Sequence, residues 1–265
     1  MTPLDTARAL TRNEAKLVRS LALKKHRDAT GLFLAEGTKC ATELLRHFPC
    51  ELLVATPEFL ENPPAPLADI APTQVAAVTS EELRRLSLQQ HPQQVLAVLR
   101  QPAAAAVPAP PDGLALALDG VQDPGNLGTI LRTADWFGVR TVYASPDTAD
   151  SFAPKVVQAT MGALGRVRVA YTPLAPLLAA FGAEGVAVCG TFMDGESLYE
   201  TEIPRRAVVV MGNEGRGVRP ETAAVCTRRL TIPRYTPAAD GSESLNVATA
   251  TAIVVGEVMR KLSVF

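Results

Sequence analysis

The stretch DGVQDPGNLGTILRTADWFG, residues 119–138, sets an amide (Asn126) and a guanidinium (Arg132) among Gly120, Gly125 and Gly128, directly after the apolar run LALALD. A second stretch, VVVMGNEGRGV (208–218), holds Glu214 between Gly212 and Gly217 after another apolar run. A third opens with LTIPRY (230–235) and continues through Ser244, Leu245 and Asn246 into the long apolar segment VATATAIVVGEV. Glycine at the end of a strand lets backbone approach a ligand or adopt positive φ, and both cost stability unless something offsets them. Two familiar nucleotide loops fail on their chemistry. Gly120 and Gly125 have the spacing of a P-loop, but Asn126 and Leu127 stand where that loop needs a lysine and a hydroxyl. The dinucleotide pattern G-x-G-x-x-G lacks its first glycine, since only Gly125 and Gly128 are present. Read singly, each polar residue has a plain alternative: Asn126 caps its helix, Arg132 is solvated, Glu214 is a helix-start acid, and Ser244 caps the last helix.

These residues need a frame that brings three loops to one place. Between residues 114 and 265, apolar strands (LALALD, RTVYAS, VRVA, GVAVCG, RAVVVMG, LTI) alternate with helical segments and end in a helix expected over 245–262. This alternation predicts an α/β domain with a mostly parallel sheet covered by helices on both faces. Ligands in such sheets bind beyond the carboxyl ends of the strands, here the segments after Asp119, Gly190, Met211 and Ile232. Asp123 and Pro124 form a helix start, with Leu127, Ile130, Leu131, Ala134 and Phe137 as its apolar stripe and Gly138 as its stop. Ahead of a proline- and alanine-rich linker, QPAAAAVPAPPDG (101–113), residues 1–100 read as a small α/β domain. Its strands are LFLAEG, ELLVAT, QVAAVT and QVLAVLR, its helices TRNEAKLVRSLALKK and SEELRRLS, the latter capped by Ser80.

Composition narrows the class. With 47% hydrophobic and 20% charged residues the chain is an ordinary globular protein with a real core. No apolar run reaches membrane-span length and the N-terminus lacks a secretion signal, so a cytoplasmic protein is expected. Four scattered cysteines without a C-x-x-C pair, and three histidines, argue against a metal site. Overall charge is −1, yet residues 1–47 carry nine basic against five acidic side chains, a candidate phosphate-facing surface or else a solvated helix face.

Taken together, N-x-G-x-x-x-R (Asn126, Gly128, Arg132), MGNEGRGV, and IP followed by SLNVATATAI resemble the three motifs of the SpoU family, the TrmH-like RNA ribose 2'-O-methyltransferases of the SPOUT superfamily. Residues 1–100, above all NEAKLVRSLALKKHRDATGLFLAEG, are similar to the family's RNA substrate-binding domain. The loop RYTPAADGSE is longer than the family's and has Arg234 in place of a small apolar residue. The resemblance implies methyl transfer from S-adenosylmethionine to a ribose 2'-hydroxyl of rRNA or tRNA, a C-terminal trefoil knot, and a homodimer with the last helix in its interface. It implies a cofactor site at Gly190, Gly212, Ile232 and Leu245, catalytic roles for Asn126, Arg132, Glu214, Ser244 and Asn246, and no metal. Arg132 would act either as general base or, since a guanidinium gives up its proton reluctantly, as a cationic stabiliser of the forming alkoxide. A catalytically inactive RNA-binding protein that keeps the fold is the alternative.

Overall fold

The structure, a computed structural model, describes residues 3–65, 70–103, 110–236 and 244–262. The middle of the expected linker (104–109) and most of the long third loop (237–243) lie outside the described residues. The chain divides into two compact units: residues 1–104 with 150–166, and residues 105–149 with 167–265.

In chain order the first unit holds α1 (Pro3–Thr6), β1 (Arg8–Ala9), α2 (Arg12–Ser20), α3 (Lys24–Thr30), β2 (Leu32–Glu36), α4 (Thr38–Leu44) and β3 (Cys50–Ala55), then α5 (Pro57–Glu61), β4 (Val75–Ala77), α6 (Ser80–Leu86) and β5 (Val95–Arg100). Among the described residues its sheet runs β1-β4-β3-β5-β2, parallel across β1, β4 and β3 and antiparallel at β5. Leu34, Leu52, Val54, Leu96 and Val98 on one face of the sheet pack with Val18 of α2 and Leu83 of α6. Local chemistry sets the helix starts. Thr11 and Thr79 each form a capping box with the glutamate three residues on, Glu14 and Glu82. The cap of α6 is therefore Thr79, not the expected Ser80: threonine, two residues and glutamate spell the reciprocal box one position earlier. The long helix expected over TRNEAKLVRSLALKK is two helices, because Leu23 takes an extended conformation between α2 and α3.

Residues 150–166 join this first unit, although the sequence places the whole of 114–265 in one domain. The reason lies in four contacts that no local pattern announces. Arg27, 3% exposed, donates Nη2 to Asp150 at 2.6 Å. Phe152 packs on Phe33 with ring centroids 4.8 Å apart. The Cys40 thiol reaches the carbonyl of Val157 at 3.6 Å, and Arg166 pairs with Glu43 at 3.4 Å.

The second unit begins with β6 (Leu114–Asp119), α7 (Pro124–Trp136) and β7 (Thr141–Ala144). After α8 (Pro154–Thr160), which belongs to the first unit, come β8 (Arg168–Tyr171), α9 (Leu174–Ala183), β9 (Ala187–Ser197), β10 (Ala207–Gly212), α10 (Pro220–Ala223), β11 (Arg228–Thr231) and α11 (Val247–Leu262). Among the described residues its strands form a six-stranded sheet in the order β11-β9-β10-β6-β7-β8, with every pairing parallel. Ala115, Ala117, Val188, Val208 and Val210 pack against Leu174, Leu178 and Phe181 of α9. The register of β10 on β6 matters most: Gly212 stands opposite Asp119, so the loops carrying the first and second motifs leave the sheet at one level, side by side.

Candidate active site

Asn126 enters α7 on its first turn. Asp123 caps that helix by accepting from the Asn126 backbone N–H at 2.7 Å, and Pro124 occupies the first turn. Asn126 is thus free of capping duty, against the simpler sequence alternative. Its side-chain Nδ2 donates to Glu214 Oε1 at 2.7 Å, and its Oδ1 accepts from Asn246 Nδ2 at 2.9 Å. Three segments separated by some 90 and 120 positions in the chain meet in this one chain of side chains.

Each partner is held in turn. Glu214 rides on a tight reversal in which Asn213 and Gly217 exchange both backbone hydrogen bonds. Asn213 Oδ1 accepts from the N–H groups of Gly215 and Arg216, and its Nδ2 donates to the carbonyl of Gly120 at 2.7 Å. The reversal needs glycine at its foot: a Cβ on Gly212 would lie 2.3 Å from the Gly217 carbonyl carbon, and Gly217 itself has φ +68°. Asn246 Oδ1 accepts from Ala248 and Thr249 at 2.9 and 3.2 Å, which makes Asn246 the cap of α11. The expected cap, Ser244, and the expected helix start at Leu245 are both displaced, because an asparagine one residue before Val247 satisfies the first free N–H groups.

The remaining expected site residues are distributed as follows. Arg132 lies about 9 Å further along α7 than Asn126; it is exposed and makes no ion pair with a carboxylate among the described residues. Ser244 is exposed just ahead of α11. Leu245 beside it leaves 49% of its surface open, an apolar side chain facing solvent. Ile232, half-buried, follows the end of β11. Gly190 sits inside β9 rather than in a loop, because β9 leaves β10 at that residue and continues along β11 to Ser197. A Cβ there would meet the Phe192 ring at 2.4 Å and Cys226 Sγ at 2.7 Å.

One buried carboxylate has no local signal in the sequence. Asp119 ends β6 wholly buried, bound by the backbone N–H of Arg219 at 2.9 Å and by its guanidinium, whose Nε stands 2.6 Å away. The bond to Asp119 is the main reason the Arg219 guanidinium holds its proton more tightly than usual. The cysteines take no part: burial pushes Cys40 and Cys50 up to about 12 and Cys189 and Cys226 up to about 11, so none supplies a thiolate at neutral pH. Among the described residues no group of three or more His, Cys, Asp or Glu side chains could hold a metal ion, and no helix is long and apolar enough to cross a membrane.

An all-parallel α/β sheet with polar loops gathered at the carboxyl ends of adjacent strands defines a ligand-binding domain of the open-sheet class. Residues 113–256 match the SpoU rRNA Methylase family, and residues 12–97 match the MRM3-like substrate binding domain. The chain belongs to the SpoU family. It is 33% identical to the 23S rRNA (guanosine(2553)-2'-O)-methyltransferase RlmP of Bacillus subtilis over 89% of this chain and 92% of the relative. The chain spans 66% and 58% of the lengths of two other curated relatives, from Synechocystis and Neisseria meningitidis. Among solved structures it is similar to a TrmH-family protein of Porphyromonas gingivalis (TM-score 0.85, 44% identity, 95% of this chain and 99% of that one). It is also similar to an AdoMet-bound rRNA methyltransferase of Sinorhizobium meliloti (TM-score 0.82, 30% identity, 97% and 98%). The residues present suit S-adenosylmethionine: open apolar surface at Leu245 for an adenine, half-buried Ile232, and backbone at the ends of β10 and β11 for its polar groups.

Proposed function

We propose that this chain methylates a ribose 2'-hydroxyl of ribosomal RNA with S-adenosylmethionine as donor. The observation that carries the reading is the hydrogen-bonded chain Glu214–Asn126–Asn246, which joins all three family motifs at the carboxyl end of the sheet. The RNA class is supported by the matched substrate-binding domain and by relatives named for 23S rRNA guanosines.

S-adenosylmethionine, when bound, supplies an electrophilic sulfonium methyl group. Gly212, Ile232 and Leu245 hold it, with Gly190 shaping the wall behind. Asn126 orients the ribose. One of its two N–H bonds is spent on Glu214 and one oxygen lone pair on Asn246, leaving a donor and an acceptor for sugar hydroxyls. Glu214 fixes which way that amide faces, and Ser244 lines the entrance beside Asn246. Arg132 stays cationic, meets the substrate phosphate and steadies the negative charge left on the 2'-oxygen as its proton passes to solvent water, while the methyl leaves sulfur for that oxygen. Holding that oxygen in line for attack is where most of the rate arises; such orientation is worth roughly 7–11 kcal/mol in well-aligned reactions.

In this reading residues 1–100, with 150–166 folded onto them, bind RNA, the rest of 114–265 catalyses, and 101–113 connect them. The reading includes a homodimer in the cytoplasm; support for the dimer is Trp136, 85% exposed on α7, the helix on which α11 packs. The reading includes a trefoil knot; its support is that α11 follows the edge strand β11 yet returns to pack on α7 and β10. The test is transfer of tritiated methyl from S-adenosylmethionine to ribosomal RNA, with 2'-O-methyl sites mapped in cells with and without the gene. One or more riboses that lose methylation with the gene are expected. Label confined to bases, or no label in RNA, refutes the assignment.

A further inference from the structure

Arg219 stands five positions after Glu214, at the foot of the reversal that carries it. Every hydrogen bond that reaches the buried Asp119 carboxylate among the described residues comes from this one arginine, through its backbone N–H, Nε and Nη2. The same guanidinium extends to Asp147 at 3.3 Å and Glu221 at 3.8 Å. The other foot of the reversal is tied too, by Asn213 to the carbonyl of Gly120. Gly120 is itself held from β7's side, where Ser145 Oγ accepts its N–H at 2.9 Å. The Glu214 loop is therefore clamped at both feet to consecutive residues, Asp119 and Gly120, from which the segment leading to Asn126 departs.

An ion pair with one buried partner is weak evidence for stability, because desolvating Asp119 offsets much of the attraction while Arg219 keeps 37% of its side chain in solvent. The grip between loops 100 positions apart reaches both carboxylate oxygens, Oδ2 from the Arg219 backbone N–H and Oδ1 from Nε and Nη2 together, and two donors of a planar guanidinium converging on one oxygen fix register as a single ammonium cannot. We propose that Arg219 is a positioning residue for methyl transfer: by gripping Asp119 it holds the Glu214 loop at the height where Glu214 meets Asn126. The inference rests on the functional reading above, since it assigns Glu214 and Asn126 to the reaction.

The test compares wild type with Arg219→Lys, Arg219→Gln, Glu214→Gln and the double variant Arg219→Gln/Glu214→Gln. Arg219→Lys keeps a cation beside Asp119 and removes the fork, so it folds where Arg219→Gln can fail. The expected results are a kcat about 10²-fold lower in Arg219→Gln, on the order a small misplacement costs, and about 10-fold lower in Arg219→Lys. The KM for RNA stays within about threefold, and adding Glu214→Gln to Arg219→Gln costs less than about threefold more, since the two act through one contact. Full kcat in Arg219→Lys, or losses that multiply in the double variant, overturn the proposal. Amide hydrogen exchange of residues 213–217 gives a reading independent of catalysis: it is expected to quicken in Arg219→Lys, and unchanged exchange also overturns the clamp. A wild-type chain that transfers no methyl sinks the functional reading instead, and leaves the exchange result to decide the clamp.

Discussion

Asn246 donates its side-chain amide to Asn126 across 2.9 Å while its own oxygen accepts from Ala248 and Thr249, so a single side chain both caps α11 and reaches into the site. The two duties use different atoms and are separable. Asn246→Asp retains an oxygen for the cap and deletes the donor to Asn126, so its melting temperature should stay close to wild type while turnover falls at least about tenfold. Asn246→Ala removes both, and should add a stability loss of about 1 kcal/mol. Equal melting curves for the two variants would refute the division.

Arg132 has no carboxylate to neutralise it among the described residues, which leaves its charge available to substrate. Arg132→Ala is expected to abolish turnover with S-adenosylmethionine binding intact by calorimetry. Arg132→Lys discriminates between roles. A cation that only stabilises charge should leave measurable activity in the lysine variant with a weak dependence on pH, whereas a general base should impose the lysine's own titration on the rate.

Trp136 keeps 85% of its surface open at the end of α7, a large apolar area to leave in water. If the chain forms the proposed homodimer through this face, Trp136→Glu should convert it from dimer to monomer by light scattering at micromolar concentration. A variant that remains dimeric moves the contact elsewhere.

In the first unit, Glu14 is held down to about 2, first by its hydrogen bond to Arg8 and then by the capping box with Thr11. A carboxyl lowered on folding stabilises the protein above the ordinary carboxylate range and loses that stabilisation as pH falls toward 2. Glu14→Gln should therefore melt below wild type at neutral pH, with the gap closing between about pH 4.5 and 2. A gap that widens on acidification contradicts the assignment.

The second unit was legible because its strands are nearly continuous apolar runs and its caps are local: Asp123 and Pro124 declare the start of α7. The convergence of Asn126, Glu214 and Asn246 was reachable through motif resemblance alone, since nothing local says that Gly212 aligns with Asp119. Where the reading went astray, a nonlocal competitor decided the outcome. Gly190 reads as a strand end until β11 draws β9 onward to Ser197. Asp119 reads as the last residue of an apolar run, and only the folded chain supplies the arginine, 100 positions later, that permits its burial.

Residues 150–166 fold with the first unit, so the polypeptide crosses between the two bodies three times, near 104, 149 and 166. A protease that severs the linker alone leaves residues 1–104 held only by noncovalent packing on 150–166, a segment that stays covalently joined to the second unit at both of its ends. Dissecting the chain by a single cut in the linker therefore puts Phe152 and Asp150 on a different polypeptide from Phe33 and Arg27, the partners they pack on.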